Sequence, residues 1–335
     1  MTTHRERMKA AIQGELLDRP PVALWRHFPV DDQESDTLAA AQLAFQTSYD
    51  FDLVKISPAS SYSVRDWGVE DEWEGNTEGT RTYKRLVVRE PGDWERLSIL
   101  QPTSPHFEQQ LDCIRQLRSR LGPETPLLQT VFNPLAQAKH LAGEQTLLQH
   151  LRTHPDALRR GLEIIAETTR GFIRAAAAAG ADGIFYAIQH AQARLLSREE
   201  FLSLSRDLDI MLLQAGEGLW CNVIHLHGEG VFLDAVLDYP AQILNWHDRE
   251  SGPTLNDAAE LWPGVVCGGL SRQTLVYATA GDVAREAEDA ILSRKGRRLV
   301  LSTGCVVPII APHGNLAAAR VAADRWPGKS ARTSL

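Results

Sequence analysis

HPDALRRGLEIIAETTRGFIRAAAAAGADGIFYA, residues 154 to 187, sets a helix and a strand in immediate succession. His154-Pro155-Asp156 opens the helix, because proline is tolerated at a first helical position, where its missing N–H has no partner to lose. The alanine-rich pattern runs to Gly180, and the apolar run Gly183 to Ala187 follows at once, short enough for a buried strand. Helix then short apolar run is the repeating unit of a parallel βα fold.

Seven further runs alternate with helical patterns in the same way: Pro21 to Trp25, Leu53 to Ile56, Pro126 to Thr130, Trp220 to Ile224, Gln242 to Trp246, Gly264 to Cys267 and Leu299 to Ser302. Ser197 and Glu200 form a capping-box pair ahead of another helix. Eight runs in a chain of 335 residues match the strand count and size of a (β/α)8 TIM barrel. No glycine-rich phosphate-binding turn follows the first run, as a dinucleotide fold would require. Between the second and third runs, Trp67 to Glu90 alternates polar and apolar residues around Gly75-Asn76-Thr77-Glu78-Gly79, which reads as a β-hairpin inserted over the barrel mouth. The expectation is one barrel domain over residues 1–326 and a frayed tail over 327–335, rich in Gly, Ser, Lys and Arg.

Composition narrows the function classes. The chain is 43% hydrophobic, enough for a large core. A net charge of −8, with no cluster of Lys and Arg, disfavours nucleic acid as a partner. No stretch reaches the roughly 18 apolar residues of a membrane span, and Met1 to Glu15 is charged and amphipathic, unlike a signal peptide. Cys113, Cys221, Cys267 and Cys305 show no paired zinc-ribbon spacing and read as reduced thiols of a cytoplasmic protein. The outer helices of such barrels commonly mediate dimers, which leaves a homodimer open.

In a barrel of this kind, residues just after each run face the mouth, where active sites are built. These are Arg26 and His27, Asn133, Gln189 and His190, His225 and His227, His247 and Asp248, and Cys305. His225 and His227 lie two apart and share one face if the strand persists, and the glycine of Ser302-Thr303-Gly304-Cys305 allows a close backbone approach. Two imidazoles and a thiolate make a donor set that suits Zn2+ with a position left open. Set against this, a lone histidine in a barrel is commonly a hydrogen-bonded structural residue and a lone cysteine a core residue. His227 either ligates or orients a ligand. Arg26 can pair a substrate carboxylate bidentately or a loop acid. Asp248 can orient an imidazole, act as a base or cap the next segment. His27, Asn133, Tyr186, Gln189, His190, Trp246 and His247 complete the candidate contacts to a small-molecule substrate, with Trp246 as an aromatic platform.

These residues resemble the uroporphyrinogen decarboxylase superfamily, which also holds cobalamin- and thiol-dependent methyltransferases. The resemblance covers nearly the whole chain. It rests on Arg5-Glu6-Arg7-Met8 with Asp18-Arg19-Pro20-Pro21, on Ala179-Gly180-Ala181-Asp182-Gly183, on His225-Leu226-His227-Gly228, on Gly268-Gly269-Leu270 and on Leu301-Ser302-Thr303-Gly304-Cys305. It implies a (β/α)8 barrel. True decarboxylases carry Arg-Gln-Ala-Gly-Arg and Phe-Ser-Asp segments where this chain has Trp25-Arg26-His27-Phe28-Pro29 and Ile56-Ser57-Pro58-Ala59, so the Asp that gathers the pyrrole N–H groups is missing. The methyltransferase branch has His-x-Cys-Gly after the fifth strand and Cys after the eighth, all on zinc. This chain matches at His225, Gly228 and Cys305 but places His227 where a cysteine is expected, which leaves the site one unit more positive.

The resemblance implies a zinc-dependent methyltransferase-like enzyme, with His225, His227 and Cys305 on the metal, Asp248 in a catalytic role, and a corrinoid, carried by a partner protein, as methyl donor to a thiol or other small acceptor. Two other readings stay open. One is a metal-free decarboxylase of tetrapyrrole carboxylates, with Arg26 on the carboxylates and Tyr186 and His190 near the pyrroles. The other is a non-catalytic corrinoid or tetrapyrrole-binding protein.

Overall fold

The computed structural model describes residues 2–16 and 18–326, so the expectation for the tail 327–335 lies outside the described residues. In chain order the helices are α1 His4–Gln13, α2 Ser35–Tyr49, α3 Pro105–Leu121, α4 Pro134–Ala142, α5 Glu144–Thr153, α6 Pro155–Ala179, α7 Arg198–Leu213, α8 Leu255–Leu261, α9 Arg272–Tyr277, α10 Ala280–Ser293 and α11 His313–Asp324. The strands are β1 Val54–Ile56, β2 Glu70–Glu72, β3 Thr82–Arg85, β4 Leu127–Phe132, β5 Gly183–Ile188, β6 Val223–Leu226, β7 Ile243–Trp246, β8 Val265–Leu270 and β9 Leu299–Thr303.

The 154–187 stretch folds as α6 and β5. The helix starts on Pro155 and stops at Gly180, whose left-handed backbone (φ 112°) lets its N–H reach the carbonyls of Ala176 and Ala177. One face of α6 carries Leu158, Leu162, Ile165, Phe172 and Ile173, all buried. Each such side chain contributes about 1.5–3 kcal/mol by leaving water. β5 is buried along its whole length. Its first residue has to be glycine, since a Cβ on Gly183 would stand 2.1 Å from the Cys221 carbonyl oxygen. Ser197 and Glu200 close the expected reciprocal cap at the start of α7, with N–H to side-chain distances of 2.8 and 3.1 Å.

Seven strands form one parallel sheet in the order β1-β4-β5-β6-β7-β8-β9. The first apolar run does not form a regular strand. Val22 makes a single parallel bridge with Leu301, supported by Ala23 N–H to Leu301 O (3.0 Å) and Leu301 N–H to Pro21 O (2.8 Å). Pro20 and Pro21 have no N–H to donate, which shortens the ladder. On its other side the run accepts Asp52 N–H at Val22 O (2.8 Å) and donates Val22 N–H to the Asp52 carboxylate (2.8 Å). Pro21–Trp25 therefore bonds to both edges of the curled sheet, next to β1 and next to β9, an arrangement compatible with a (β/α)8 barrel. Asp52 is buried and also accepts from Arg7 (2.7 Å), Arg19 (2.5 and 3.0 Å) and His4 (3.0 Å), tying α1 and the Asp18-Arg19 turn to the sheet end opposite the mouth.

Between β1 and β4 a two-stranded antiparallel sheet pairs β2 with β3, Asp71 opposite Tyr83. It is clamped at its base by Asp71, which meets Arg65 at 2.6 Å and Arg81 at 2.5 Å. Its turn is held at the far side by Glu78 to Arg272 (2.8 Å) and by Ile309 N–H to Thr77 O (2.8 Å). Among the described residues no helix is long and apolar enough to cross a membrane.

Candidate functional site

The pleat decides which strand residues reach the interior of the curled sheet, because successive side chains point to opposite faces. Thr130 and Phe132 on β4, Phe185 and Ala187 on β5, and His225 and His227 along β6 all line one cavity of about 440 Å3. β6 starts three residues later than its apolar pattern suggests and runs through Leu226, after which His227 N–H bonds to Ile188 O (2.9 Å). The extended backbone thus keeps both imidazoles on the inward face.

Cys305 arrives from the turn after β9. A Cβ on Gly304 would stand 2.5 Å from the Trp246 carbonyl oxygen and 2.6 Å from His247 Cα, so the missing side chain lets this turn press against the end of β7. The thiol sulfur lies 3.8 Å from His225 Nε2 and 3.7 Å from His227 Nδ1. His247, from the end of β7, completes the group: donor atoms of His225, His227, His247 and Cys305 all lie within 4.8 Å of one another. The sequence reading places His247 among the substrate contacts, and the structure brings it beside the two imidazoles and the thiol.

His225 is held in one tautomer. Asn245, buried on β7 in register with His225, donates its amide N–H groups to the carbonyls of Cys267 (2.8 Å) and Thr303 (3.0 Å). Its Oδ1 therefore faces His225 Nδ1 (2.7 Å) and accepts the ring proton, leaving the Nε2 lone pair aimed at the cluster. His247 Nε2 is buried without a hydrogen-bond partner. An orphaned imidazole nitrogen beside a thiol and two further imidazoles fits a metal ion of zinc type, which takes N and S donors in this number.

Charge within the cluster is unevenly distributed. Burial pushes the Cys305 thiol up, but the surrounding imidazoles of His225, His227 and His247 outweigh it and hold the thiol well below its ordinary range. Burial lowers His225 despite the thiolate, whereas for His227 the bond to Cys305 overcomes burial and raises the ring. The other thiols behave oppositely: burial pushes Cys113 and Cys267 up to about 12, as befits packing residues.

The pleat also sorts the remaining sequence candidates. His27 and Gln189 line the cavity. His27 is pushed down to about 4 by burial and by the Lys55 charge, so it is neutral at pH 7. The six candidates of opposite parity do not line that cavity. Arg26 lies over the rings of Phe28 and Phe45 and reaches Ile309 O at 3.4 Å. Asn133 caps α4 through Ala136 N–H (3.1 Å) and bonds Ser205 (3.0 Å). Tyr186 donates to the buried carboxylate of Asp209 (2.7 Å). His190 is wholly buried with both ring nitrogens unpartnered, off the cavity wall. Trp246 is buried and donates to Pro253 O (2.8 Å), so it offers no platform to a ligand. Asp248 accepts from Gly269 N–H (3.0 Å), bonds no imidazole, and is pushed up to about 7 mainly by burial.

Two cavity residues escaped the sequence reading. Lys55, in the middle of β1, points inward, buried, with Nζ 3.2 Å from Ser57 Oγ and 4.7 Å from the Phe185 ring. Lys139 on α4 also lines the wall. The signal for Lys55 was a charged residue inside the apolar run Leu53 to Ile56; Asn245 and Lys139 carry no such local mark.

Comparison with known proteins follows the same lines. A family model described as uroporphyrinogen decarboxylase matches residues 3–326. No curated protein sequence matches the chain. Among solved structures, a methyltransferase from Methanosarcina mazei superposes with a TM-score of 0.86 at 20% identity, covering 97% of this chain and 99% of that one. A B12-independent methionine synthase from a Shewanella species, in complex with selenomethionine, gives 0.59 at 14% identity over 91% and 92%. A putative vitamin-B12-independent methionine synthase from Listeria monocytogenes gives 0.53 at 10% identity over 90% and 94%. These likenesses are likenesses of fold.

Proposed function

This chain belongs to the uroporphyrinogen decarboxylase family, and from that premise we propose that it is a zinc-dependent methyltransferase-like enzyme moving a methyl group between a corrinoid and a small acceptor thiol. The observation that carries the reading is the convergence of His225, His227, His247 and Cys305 within 4.8 Å, with Asn245 setting the tautomer of His225. His225, His227 and Cys305 would hold the ion, with His247 in reach as a further donor. Bound there, zinc supplies Lewis acidity that lowers the pKa of an acceptor thiol at neutral pH.

The chain's own residues do the positioning. Trp25 and Phe185 pack edge to face (5.2 Å), and Phe185 stacks on His225 (5.2 Å), walling the cluster with apolar surface. The β2–β3 insertion, anchored through Glu78 and Arg272, covers the mouth as a hairpin lid and limits water. A cavity of about 440 Å3 has room for a small acceptor and stands at the low end of ligand pockets, which span roughly 300–1,000 Å3. In this reading residues 1–326 form one closed (β/α)8 barrel domain of a cytoplasmic enzyme, and a corrinoid-carrying partner docks over the mouth beside the lid.

Metal content of the purified protein tests the proposal, with wild type beside Cys305→Ala and His225→Ala. About one zinc per chain, abolished in both variants, is the expected result. A wild type that binds no zinc on reconstitution refutes it, and conversion of uroporphyrinogen by such a protein would establish the decarboxylase reading in its place.

A further inference from the structure

The β2–β3 hairpin is fastened differently at its two ends. At the base, the buried carboxylate of Asp71 meets Arg65 (2.6 Å) and Arg81 (2.5 Å), and Arg81 also donates to Pro29 O (2.9 Å). Tyr83 stacks on His140 (4.8 Å), and the N–H groups of Val87 and Val88 both bond to Leu141 O (3.0 and 3.1 Å). These contacts join the base to α4 and to the segment ahead of α2.

The tip, residues 73–80, is a unit in itself. Asn76 O accepts from Gly79 N–H (3.0 Å) and from the Trp73 indole (3.1 Å), and Asn76 Oδ1 accepts from Glu78 N–H (2.8 Å). Among the described residues two polar contacts tie this unit to the rest of the barrel: Glu78 to Arg272 (2.8 Å), and Ile309 N–H to Thr77 O (2.8 Å). An ion pair as open to water as this one is a weak tie. Arg272 keeps its place without Glu78, because Glu250 accepts its backbone N–H (3.2 Å) and lies 3.5 Å from its Nε. The tip also seals the cavity. A Cβ on Gly79 would stand 2.5 Å from His27 Cβ, so the chain presses on a residue of the cavity wall, and Glu78 and Thr80 line the same cavity as Cys305.

We propose that the tip is a gate: it swings on the clamped base when the Glu78–Arg272 pair and the Thr77–Ile309 bond part together, and the small-molecule substrate enters through that opening. The inference rests on reading the cavity as the substrate site and adds how that site is reached. Its test needs neither metal nor turnover, so failure of the zinc reading leaves it standing.

Amide hydrogen exchange of the metal-free protein, read at single residues by mass spectrometry, tests the hinge. The Ile309 N–H reports on the tip, and those of Val87 and Val88 report on the base. In wild type Ile309 should be less protected than Val87 and Val88. Glu78→Gln keeps the shape of the side chain and removes its charge. It should speed exchange at Ile309 by about 2- to 5-fold, the range of one exposed ion pair, and leave Val87 and Val88 unchanged. Alkylation of Cys305 by the neutral reagent N-phenylmaleimide should rise by the same factor; Cys113, Cys221 and Cys267 are buried outside the cavity. Glu167→Gln, which breaks a comparable pair with Arg170 on α6 (2.7 Å), should alter neither rate. Equal protection of Ile309, Val87 and Val88 in wild type would overturn the gate, as would unchanged Ile309 exchange in Glu78→Gln. Faster exchange at Ile309 without faster alkylation of Cys305 would overturn the entry route. If Glu78→Gln does not fold, added salt on wild type takes its place, since it screens the pair and should speed Ile309 relative to Val87; no such acceleration would refute the latch.

Discussion

Replacing Asn245 by leucine removes an acceptor from His225 Nδ1 and two donors from the carbonyls of Cys267 and Thr303, without touching any atom of the cluster itself. Asn245 is wholly buried, so water does not take over its role. Left without an acceptor, the His225 ring is free to shift its proton to Nε2 and turn, and either change withdraws the lone pair from the cluster. Loss of an orienting partner of this kind typically lowers metal affinity about 10- to 100-fold, or ~1.4–2.8 kcal/mol. Separately, a buried polar group left unsatisfied costs about 1–3 kcal/mol of fold stability. The two effects are read by two assays: zinc competition against a fluorescent chelator, and urea unfolding of the metal-free protein. Leu162→Ala, in the buried face of α6, lowers stability by about 2–5 kcal/mol far from the site and should leave zinc affinity unchanged. If folded Asn245→Leu bound zinc as tightly as wild type, the tautomer of His225 would not be what organises this centre.

Gly304→Ala places a methyl group against backbone atoms at 2.5 and 2.6 Å that cannot swing aside. Overpacking of this kind costs about 1–3 kcal/mol, and the relief available is for the turn to lift Cys305 away from His247. Zinc affinity should fall with stability, and a variant whose unfolding midpoint and zinc affinity both match wild type would contradict the close approach. At the opposite end of the sheet, burial raises Asp52, but the bond from His4 and the charges of Arg19 and Arg7 outweigh it and hold the carboxyl far below its usual range. A depressed carboxyl stabilises the fold fully above its unfolded pKa of about 3.9, and that contribution shrinks by about 1.4 kcal/mol per pH unit below it. Asp52→Asn should cost about 3–5 kcal/mol at pH 7 and visibly less at pH 3. Equal costs at both pH values in urea titrations would rule out the ionised carboxylate as the source.

Local chemistry made most of the fold legible. Pro155 and Gly180 bound α6, the Ser197 and Glu200 pair opens α7, and seven of the eight apolar runs are strands, because caps and periodicity act over a few residues. The first run, Pro21 to Trp25, differs since Pro20 and Pro21 lack donors, and its place between β1 and β9 is held by Asp52, thirty residues from Val22 in sequence. His225, His227 and Cys305 were also readable, through their spacing and their positions after strands.

Facing was not readable. Strands of a parallel sheet are buried on both sides, so their sequences are apolar throughout and do not say which parity points inward. Arg26, Asn133, Tyr186, His190, Trp246 and Asp248 all have the parity that turns away, while His27, Gln189 and His247 have the one that turns in. Asn245 gains its role through lateral pairing of β6 with β7, twenty residues apart, and Lys139 through the packing of a helix against the mouth. Sequence determined which elements form and which chemical groups stand near the strand ends. Tertiary structure alone decided which groups meet, because that depends on register and facing between segments distant along the chain.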